Sequence, residues 1–546
     1  MAEHRIPRTA SAYDYPLIIK RLLESSVTRS AGHEIVYRDL KRYGYPELVR
    51  RVARLANALR RLGVAPGNTV AVLDWDSHRY LEAFFAVPMM GAVLHTVNVR
   101  LSPEQILYTI NHAEDDIVLV HADFLPLVEQ IRDRMATVKR VVVLSDDGGV
   151  PASKLTLDGE YEALLVAADD RYEFPDLDEN TLATTFYTTG TTGDPKGVYF
   201  SHRQLVLHTL SGLVTVGSYA TQGRFRSDDV YMPITPMFHV HAWGLPYMAT
   251  VLGVKQVYPG RYEPAMLLKL LVGEKVTFSH CVPTILHMLL TSPATKDVDL
   301  SGWKVVIGGA ALPRGLAAAA LARGIDICTG YGMSETCPIL TISNLLPDML
   351  EAEPETQLDV RCKTGLPIPL VDLRIVDATG RELSHDGKQS GEVVVRAPWL
   401  TQGYLKNPEA SEALWRDGFL HTGDVGTIDE RGYLLITDRI KDVIKSGGEW
   451  ISSLAIESIV SQHPAVSEVA VIGVPDAKWG ERPMALVVLK AGMRATEDEL
   501  RSHVKQQADA GKISPWAVPE QVRLVESLDK TSVGKLNKKL LRQKYG

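Results

Sequence analysis

Tyr187-Thr188-Thr189-Gly190-Thr191-Thr192-Gly193-Asp194-Pro195-Lys196-Gly197 is the stretch on which the reading of this 546-residue chain turns. Its glycines let backbone N–H groups approach an anion, its four threonine hydroxyls add donors, and its lysine adds positive charge. In chemical terms it is a phosphate-binding loop. It is not the G-x-x-x-x-G-K-[ST] loop of nucleoside triphosphatases, where the second glycine directly precedes the lysine. Here Pro195 stands in that place and Gly197 follows Lys196. Taken alone, such a stretch also reads as a flexible turn, so its function rests on what surrounds it.

Upstream of the loop, helical and strand patterns alternate. Leu48, Val52, Leu55, Ala56, Leu59 and Leu62 repeat at helical spacing, and Thr69–Leu73, Asp116–Val120 and Val141–Leu144 read as short buried strands. Apolar runs alternating with amphipathic helices predict an α/β architecture with parallel sheets. After about Gly365 the texture changes to short β-type runs such as Glu392–Arg396, separated by Gly and Asp turns. Beyond Asp438 lies a smaller, more charged region whose runs Glu468–Ile472 and Ala485–Leu489 suit a small α+β domain. We expect a large domain over residues 1–437 and a small C-terminal one over 438–546.

Composition narrows the classes. The apolar share is 45% and the charged share 23%, as in ordinary globular proteins, and the length calls for more than one core. A net charge of −7 offers no broad basic excess for neutralising nucleic-acid phosphates. Cys281, Cys328, Cys337 and Cys362 form no C-x-x-C pair, which points to a reducing, cytoplasmic compartment rather than a disulfide framework or zinc site. No secretory signal is expected from the charged start Met1-Ala2-Glu3-His4-Arg5. Residues 230–254 contain no Asp, Glu, Lys or Arg and are long enough to span a bilayer. Pro233, Pro236, Pro246, Gly244, His239 and His241 interrupt the run, so a buried, turn-rich, pocket-lining segment is expected instead.

Further motifs follow in order: Ile307-Gly308-Gly309-Ala310-Ala311-Leu312, Thr329-Gly330-Tyr331-Gly332-Met333-Ser334-Glu335-Thr336, Thr422-Gly423-Asp424, Asp438-Arg439-Ile440-Lys441-Asp442, Lys445-Ser446-Gly447-Gly448-Glu449 and Thr531-Ser532-Val533-Gly534-Lys535. Together with the Gly/Thr loop they resemble the adenylate-forming superfamily, which holds acyl-CoA synthetases, peptide-synthetase adenylation domains and luciferases. The resemblance covers nearly the whole chain. It implies a large domain of two α/β sheets with a small β-barrel-like part, followed by a small mobile α+β domain.

The resemblance also implies roles. ATP or AMP would be held by Thr188, Thr189, Gly190, Thr191, Thr192 and Lys196, by Gly308, Gly309 and Ala310, by Gly330, Tyr331, Gly332, Met333 and Ser334, and by Asp424, Ile436 and Arg439. The ring of Tyr331 can stack on adenine, and a carboxylate such as Asp424 has acceptors for both ribose hydroxyls. Glu335, with Thr191, would hold Mg²⁺, which prefers hard oxygen ligands. Lys535 would enter the site during adenylation and offset charge on the reacting carboxylate and α-phosphate. By its residues alone, Lys535 also fits a solvated basic tail with Lys538, Lys539, Arg542 and Lys544. The family often has proline two residues before the threonine of this motif; Asp529 stands there. Lys441 matches the hinge. Lys445, Gly447, Gly448, Glu449 and Trp450 match the coenzyme A side, and Trp479 is a candidate to stack on the adenine of coenzyme A, or else a core residue.

The segment Pro236-Met237-Phe238-His239-Val240-His241-Ala242-Trp243 resembles the acyl-pocket lining, with Gly308 and Gly332 also facing that pocket. His239 resembles the residue beside the substrate carboxylate and Trp243 a gating aromatic. The His239-x-His241 spacing could also bind a metal, but two ligands alone make a poor site. The matches Ser446–Ser452 and Lys363–Pro369 look most like medium- and long-chain fatty acyl-CoA ligases. The expected activity is therefore ATP-dependent adenylation of a fatty acid with release of pyrophosphate, then thioester formation with coenzyme A. A short, sulfur-containing or aromatic acid, or a carrier-protein thiol as acceptor, stays open. So do a luciferase-like oxygenase and a nucleotide sensor, though no carrier domain is expected after Gly546 and the sensor would need the catalytic positions lost. A homodimer is expected only by analogy.

Overall fold

A computed structural model describes residues 6–30, 32–188, 194–219, 223–446, 449–511, 513–531 and 534–546, with residues 449 and 450 described by backbone alone. Among these residues the strands form four sheets. A six-stranded sheet runs in the order Arg140–Leu144, Asp115–His121, Thr69–Leu73, Val93–Thr96, Leu182–Thr188, Lys196–Ser201. Its first four junctions are parallel; the last is an antiparallel hairpin that pairs Thr188 with Lys196 across the Gly/Thr loop. All five residues of Thr69–Leu73 are buried, as a strand covered on both faces requires. The amphipathic helix expected near residue 50 spans Tyr45–Arg61 and buries Leu48, Val52, Leu55, Ala56 and Leu59.

The second α/β sheet has nine strands. Its centre is parallel and sets Asp326–Gly332, Lys304–Ile307, Phe278–Cys281, Val230–Pro233 and Lys255–Tyr258 side by side. The early strand Glu34–Tyr37 joins this sheet rather than the first, lying parallel to Lys255–Tyr258. One continuous core joins the two sheets, with Phe84, Phe85, Phe186, Tyr247 and Trp399 buried within it.

Residues 372–439 form an antiparallel five-stranded sheet where the barrel-like part was expected. Its last strand, Leu434–Arg439, runs two residues past 437, pairing Val425 with Asp438 and Asp424 with Arg439. The C-terminal sheet is built on the hairpin Val466–Asp476 and Gly480–Leu489, which carries a separate small core around Ile444, Ile456, Val471 and Val487. The charge-free stretch 230–254 is a strand, a turn and the short helix Leu245–Leu252. Among the described residues no helix is long and apolar enough to cross a membrane.

Candidate active site

Three parallel strands of the larger sheet, Phe278–Cys281, Lys304–Ile307 and Asp326–Gly332, end side by side. Open α/β sheets bind ligands beyond such carboxyl ends. A cleft of about 460 Å³, counting its open mouth, lies there. Gly308, Gly309, Gly330, Tyr331, Gly332, Met333 and Ser334 line its backbone-rich side; His239, Val240, Trp243, Val306, Pro338, Ile339 and Ile342 line its apolar side. Lys535, from the far end of the chain, completes it.

Two glycines make this possible. A Cβ on Gly332 would fall 1.7 Å from the carbonyl oxygen of Pro338, so no other residue fits there. Gly309 takes a left-handed φ of +76°, and a Cβ on it would sit 3.1 Å from Cε of Lys535. Its bare backbone is the floor on which the lysine side chain lies.

Around the rim the polar groups are linked. Asp424 is buried; its Oδ2 accepts from the Tyr331 hydroxyl at 2.7 Å, and its Oδ1 faces Nε of Arg439 at 3.1 Å. Burial and the adjacent Asp424 charge hold the Tyr331 phenol well above its usual pKa. Thr422, whose hydroxyl accepts from the Asp424 amide and donates to the Val393 carbonyl, fixes the turn that presents Asp424. Glu335 is also buried, and its Oε1 accepts from the Tyr404 hydroxyl at 2.7 Å. Lys196 stands over the Tyr404 ring, its Nζ 4.7 Å from the centroid. Tyr404 thus ties the base of the Gly/Thr loop to the candidate magnesium ligand. No spacing signal marked it, because it arrives from a loop distant in sequence. A carboxylate with one oxygen engaged by a hydroxyl still has acceptor capacity, and an all-oxygen set suits Mg²⁺. Glu335 therefore fits that role.

His239 closes the apolar side and is half-buried. Burial, helped by the charges of Lys535 and Arg100, pushes its pKa down to about 3, so it is a neutral imidazole at ordinary pH. The residues after it were not foreseen in this shape. Val240, His241, Ala242 and Trp243 all have positive φ, between 47° and 59°, and with Gly244 they form a left-handed turn. Each non-glycine residue in that conformation costs about 1–2 kcal/mol, so the surroundings must impose it. The Met237 amide donates to Oδ1 of buried Asp76 at 2.8 Å, and the Thr96 hydroxyl donates to the Phe238 carbonyl at 2.9 Å. The His241 ring turns away from the cleft to the Thr184 hydroxyl at 2.7 Å and packs edge-on against Phe84 and Phe186. His239 and His241 therefore face different ways. Among the described residues no group of three or more His, Cys, Asp or Glu side chains is arranged to hold a metal.

Lys535 is held from both sides of the chain. The Thr531 hydroxyl accepts from its amide at 3.2 Å, and the Thr284 hydroxyl of the large domain donates to the Gly534 carbonyl at 3.0 Å. Burial and the Arg439 charge pull its pKa down to about 8, against the opposing pull of Asp424 and Glu335. The sign is that of a base with a depressed pKa: the ammonium is complete well below 8 and is lost above it. If Lys535 acts as the ammonium that the resemblance implies, kcat/KM for ATP in the free enzyme should fall as pH rises through about 8. A profile of acid-dependent pyrophosphate exchange that stays level to about pH 9.5 would contradict this.

Some expected residues lie elsewhere. Ala310 is on the exposed turn past the cleft, and the Ile436 amide donates to the Thr364 hydroxyl in the loop before Leu366–Pro367. Lys441 is exposed beyond the last strand of the small sheet. Lys445 lies on Ile444–Ser446, its amide donating to Glu481. Trp479 is half-exposed at the tip of the C-terminal hairpin rather than in a core, edge-on to Trp516 at 4.6 Å with Lys478 over its ring. Thr189, Gly190, Thr191, Thr192, Gly447 and Gly448 lie outside the described residues, as do the side chains of Glu449 and Trp450. Thr188 is described, at the end of its strand.

Such a cleft, with a carboxylate-bearing rim and a lysine delivered from the far end of the chain, suits an enzyme that uses a nucleotide. The chain belongs to the AMP-binding enzyme family: the family's model matches residues 23–405, and the model of the AMP-binding enzyme C-terminal domain matches 455–535. It is 44% identical to the long-chain-fatty-acid–CoA ligase of Thermus thermophilus, over 97% of this chain and 96% of that one. It is 38% identical to the 3-methylmercaptopropionyl-CoA ligase of Ruegeria pomeroyi, over 97% of each. Among solved structures it superimposes on the anthranilate CoA ligase AuaEII in complex with anthranoyl-AMP with a TM-score of 0.85, at 25% identity, covering 97% of this chain and 98% of that one.

Proposed function

We propose that the protein is an ATP-dependent fatty acid–CoA ligase. The observation that carries this reading is the cleft itself. It joins an apolar side to a glycine-rich rim bearing Tyr331 and Asp424, with Lys535 lying on Gly309 between them. An oxygen of the acid's carboxylate attacks the α-phosphorus of ATP, and the bond to the bridging oxygen of pyrophosphate breaks. Lys535 offsets the charge that gathers there, while neutral His239 can hydrogen-bond the carboxylate without adding charge. Tyr331, Asp424 and Arg439 hold the adenosine, and Glu335 would hold Mg²⁺, which neutralises phosphate charge when bound. The thiol sulfur of coenzyme A then attacks the acyl carbon, AMP leaves, and the thiol proton passes to solvent.

The C-terminal part, taken as residues 438–546, turns about Lys441 between the two steps. It withdraws Lys535 and brings the 445–450 segment, and Trp479 with it, to the coenzyme A side. A few residues changing φ and ψ suffice for such a motion. A cytoplasmic location is supported by four cysteines that form no disulfide. A homodimer stays an expectation, which light scattering on the purified protein would decide.

Val240, Trp243, Val306, Ile339 and Ile342 support an aliphatic acyl group, and among the described lining residues no second cation is available for a dicarboxylate. A short acid such as a methylthio-acid is the second reading. It is favoured by Trp243, whose indole packs so closely on Gly308 that a Cβ there would sit 3.0 Å from it, closing the apolar end. Pyrophosphate release should be measured with acids from acetate to palmitate, 3-(methylthio)propionate and benzoate, with and without coenzyme A. A maximum on aliphatic acids of medium or long chain supports the first reading; a maximum on short acids supports the second. Turnover on benzoate alone would overturn both.

A further inference from the structure

The helix Arg314–Ala322 reads Arg-Gly-Leu-Ala-Ala-Ala-Ala-Leu-Ala, a run of strong helix formers broken only by Gly315. Gly315 does not have positive φ, so the backbone freedom of glycine is not used there. In a helix a glycine costs up to about 1 kcal/mol relative to alanine, and a helix this rich in alanine asks for a reason. The reason is steric. A Cβ on Gly315 would fall 2.6 Å from the carbonyl oxygen of Ser461 and 3.3 Å from its carbonyl carbon. Ser461 ends the helix Ser453–Val460 of the C-terminal part, and the clash is with backbone, which no side-chain rotation relieves. Nor can the large-domain helix give way easily, because its Ala317 and Ala320 are fully buried in the core beneath it.

Two hydrogen bonds cross the same interface. Thr284 donates to the Gly534 carbonyl, and the ring of His287, one turn further along the helix Pro283–Thr291, meets the Ser467 hydroxyl at 3.1 Å. The segment from Gly309 to Gly315 thus receives the Lys535 side chain at one end and the body of the C-terminal part at the other.

We infer that Gly315 is a positioning residue for adenylation: its missing side chain is the seat on which the C-terminal part docks to present Lys535, with His287 as a second anchor. The inference rests on the ligase reading for its kinetic consequence, since the contact is made where Lys535 lies in the cleft. In the Gly315→Ala variant the added methyl lifts the C-terminal part and draws Lys535 off Gly309. Since the proposed rotation withdraws Lys535 and takes this contact with it, thioester formation should be spared.

The test compares wild type, Gly315→Ala and His287→Ala in two half-reactions. One is acid-dependent exchange of pyrophosphate into ATP; the other is thioester formation from synthetic acyl-adenylate and coenzyme A. Expected is a loss of about tenfold or more in exchange for Gly315→Ala, as for overpacking a rigid contact, with thioester formation within about twofold of wild type and no fall in melting temperature. His287→Ala should lose about two- to fivefold in exchange alone, as for one surface hydrogen bond. Equal loss in both half-reactions, or full retention of exchange by Gly315→Ala, overturns the inference. Solution X-ray scattering reads docking without chemistry: Gly315→Ala should be more extended than wild type, and identical profiles would overturn the docking seat. If wild type performs neither half-reaction on any acid, the ligase reading fails, and scattering still decides the seat.

Discussion

Replacing Lys535 by alanine should lower the rate of adenylate formation by about 10²–10³-fold while leaving thioester formation from supplied acyl-adenylate near its wild-type rate. The magnitude is that of removing one preorganised charge or donor from a site of charge development. The selectivity comes from geometry. Lys535 lies in the cleft with the Gly534 carbonyl held by Thr284 and its side chain on Gly309, which leaves room for it. Its depressed pKa places a partly desolvated ammonium beside the rim formed by Asp424, Arg439 and Glu335. Once the mixed anhydride exists, that charge has no further task, because AMP is already a good leaving group. Pyrophosphate exchange and single-turnover thioester formation measured on the same preparation separate the two steps. Equal loss in both would mean that Lys535 maintains the fold or binds the adenylate, and not that it serves the first transfer.

Asp424→Ala should behave differently, raising KM for ATP about 10- to 100-fold and weakening use of supplied acyl-adenylate to a similar degree. Hydrogen bonds to a charged group are worth about 1.5–3 kcal/mol, and 1.4 kcal/mol is tenfold in affinity. Asp424 is buried, accepts from Tyr331 and pairs with Arg439, so its loss frees both neighbours as well as removing the proposed ribose acceptor. In the proposed two-step reaction the ribose stays bound throughout, so the penalty belongs to both steps. A variant impaired only in pyrophosphate exchange would assign Asp424 to the phosphate end of the site, against its position beside Tyr331.

The contrast between these two residues bears on how much of the site was legible in the sequence. Tyr331, Glu335, Asp424 and Lys535 each sit in a short motif, and the fold brings Lys535 and the Tyr331 stretch into one cleft although about two hundred residues of sequence separate them. Backbone approach explains why the motif glycines could be read: Gly332 has no alternative residue type, and Gly309 combines a left-handed φ with the close approach of Lys535. Tyr404 was not legible, since an aromatic in a loop acquires meaning only from the carboxylate that tertiary packing sets against it. Neither was the left-handed turn at 240–244, whose valine, histidine, alanine and tryptophan all prefer other conformations and are overruled by the packing of Phe84, Phe186 and Thr184 around His241. Local pattern identified strands such as Thr69–Leu73 and Val141–Leu144 to within a residue, but not which sheet each joins. Glu34–Tyr37 pairs with Lys255–Tyr258, a choice made by long-range burial that alternation within four residues cannot encode.

The claim on which the rest depends is that this cleft makes an acyl-adenylate. It is tested most directly by incubating the protein with ATP, Mg²⁺, labelled pyrophosphate and an aliphatic acid, without coenzyme A. The account predicts acid-dependent appearance of label in ATP, slowed about 10²–10³-fold by Lys535→Ala and followed by release of AMP when coenzyme A is added. Label that never enters ATP with any acid, or a nucleotide product that is ADP, would contradict it.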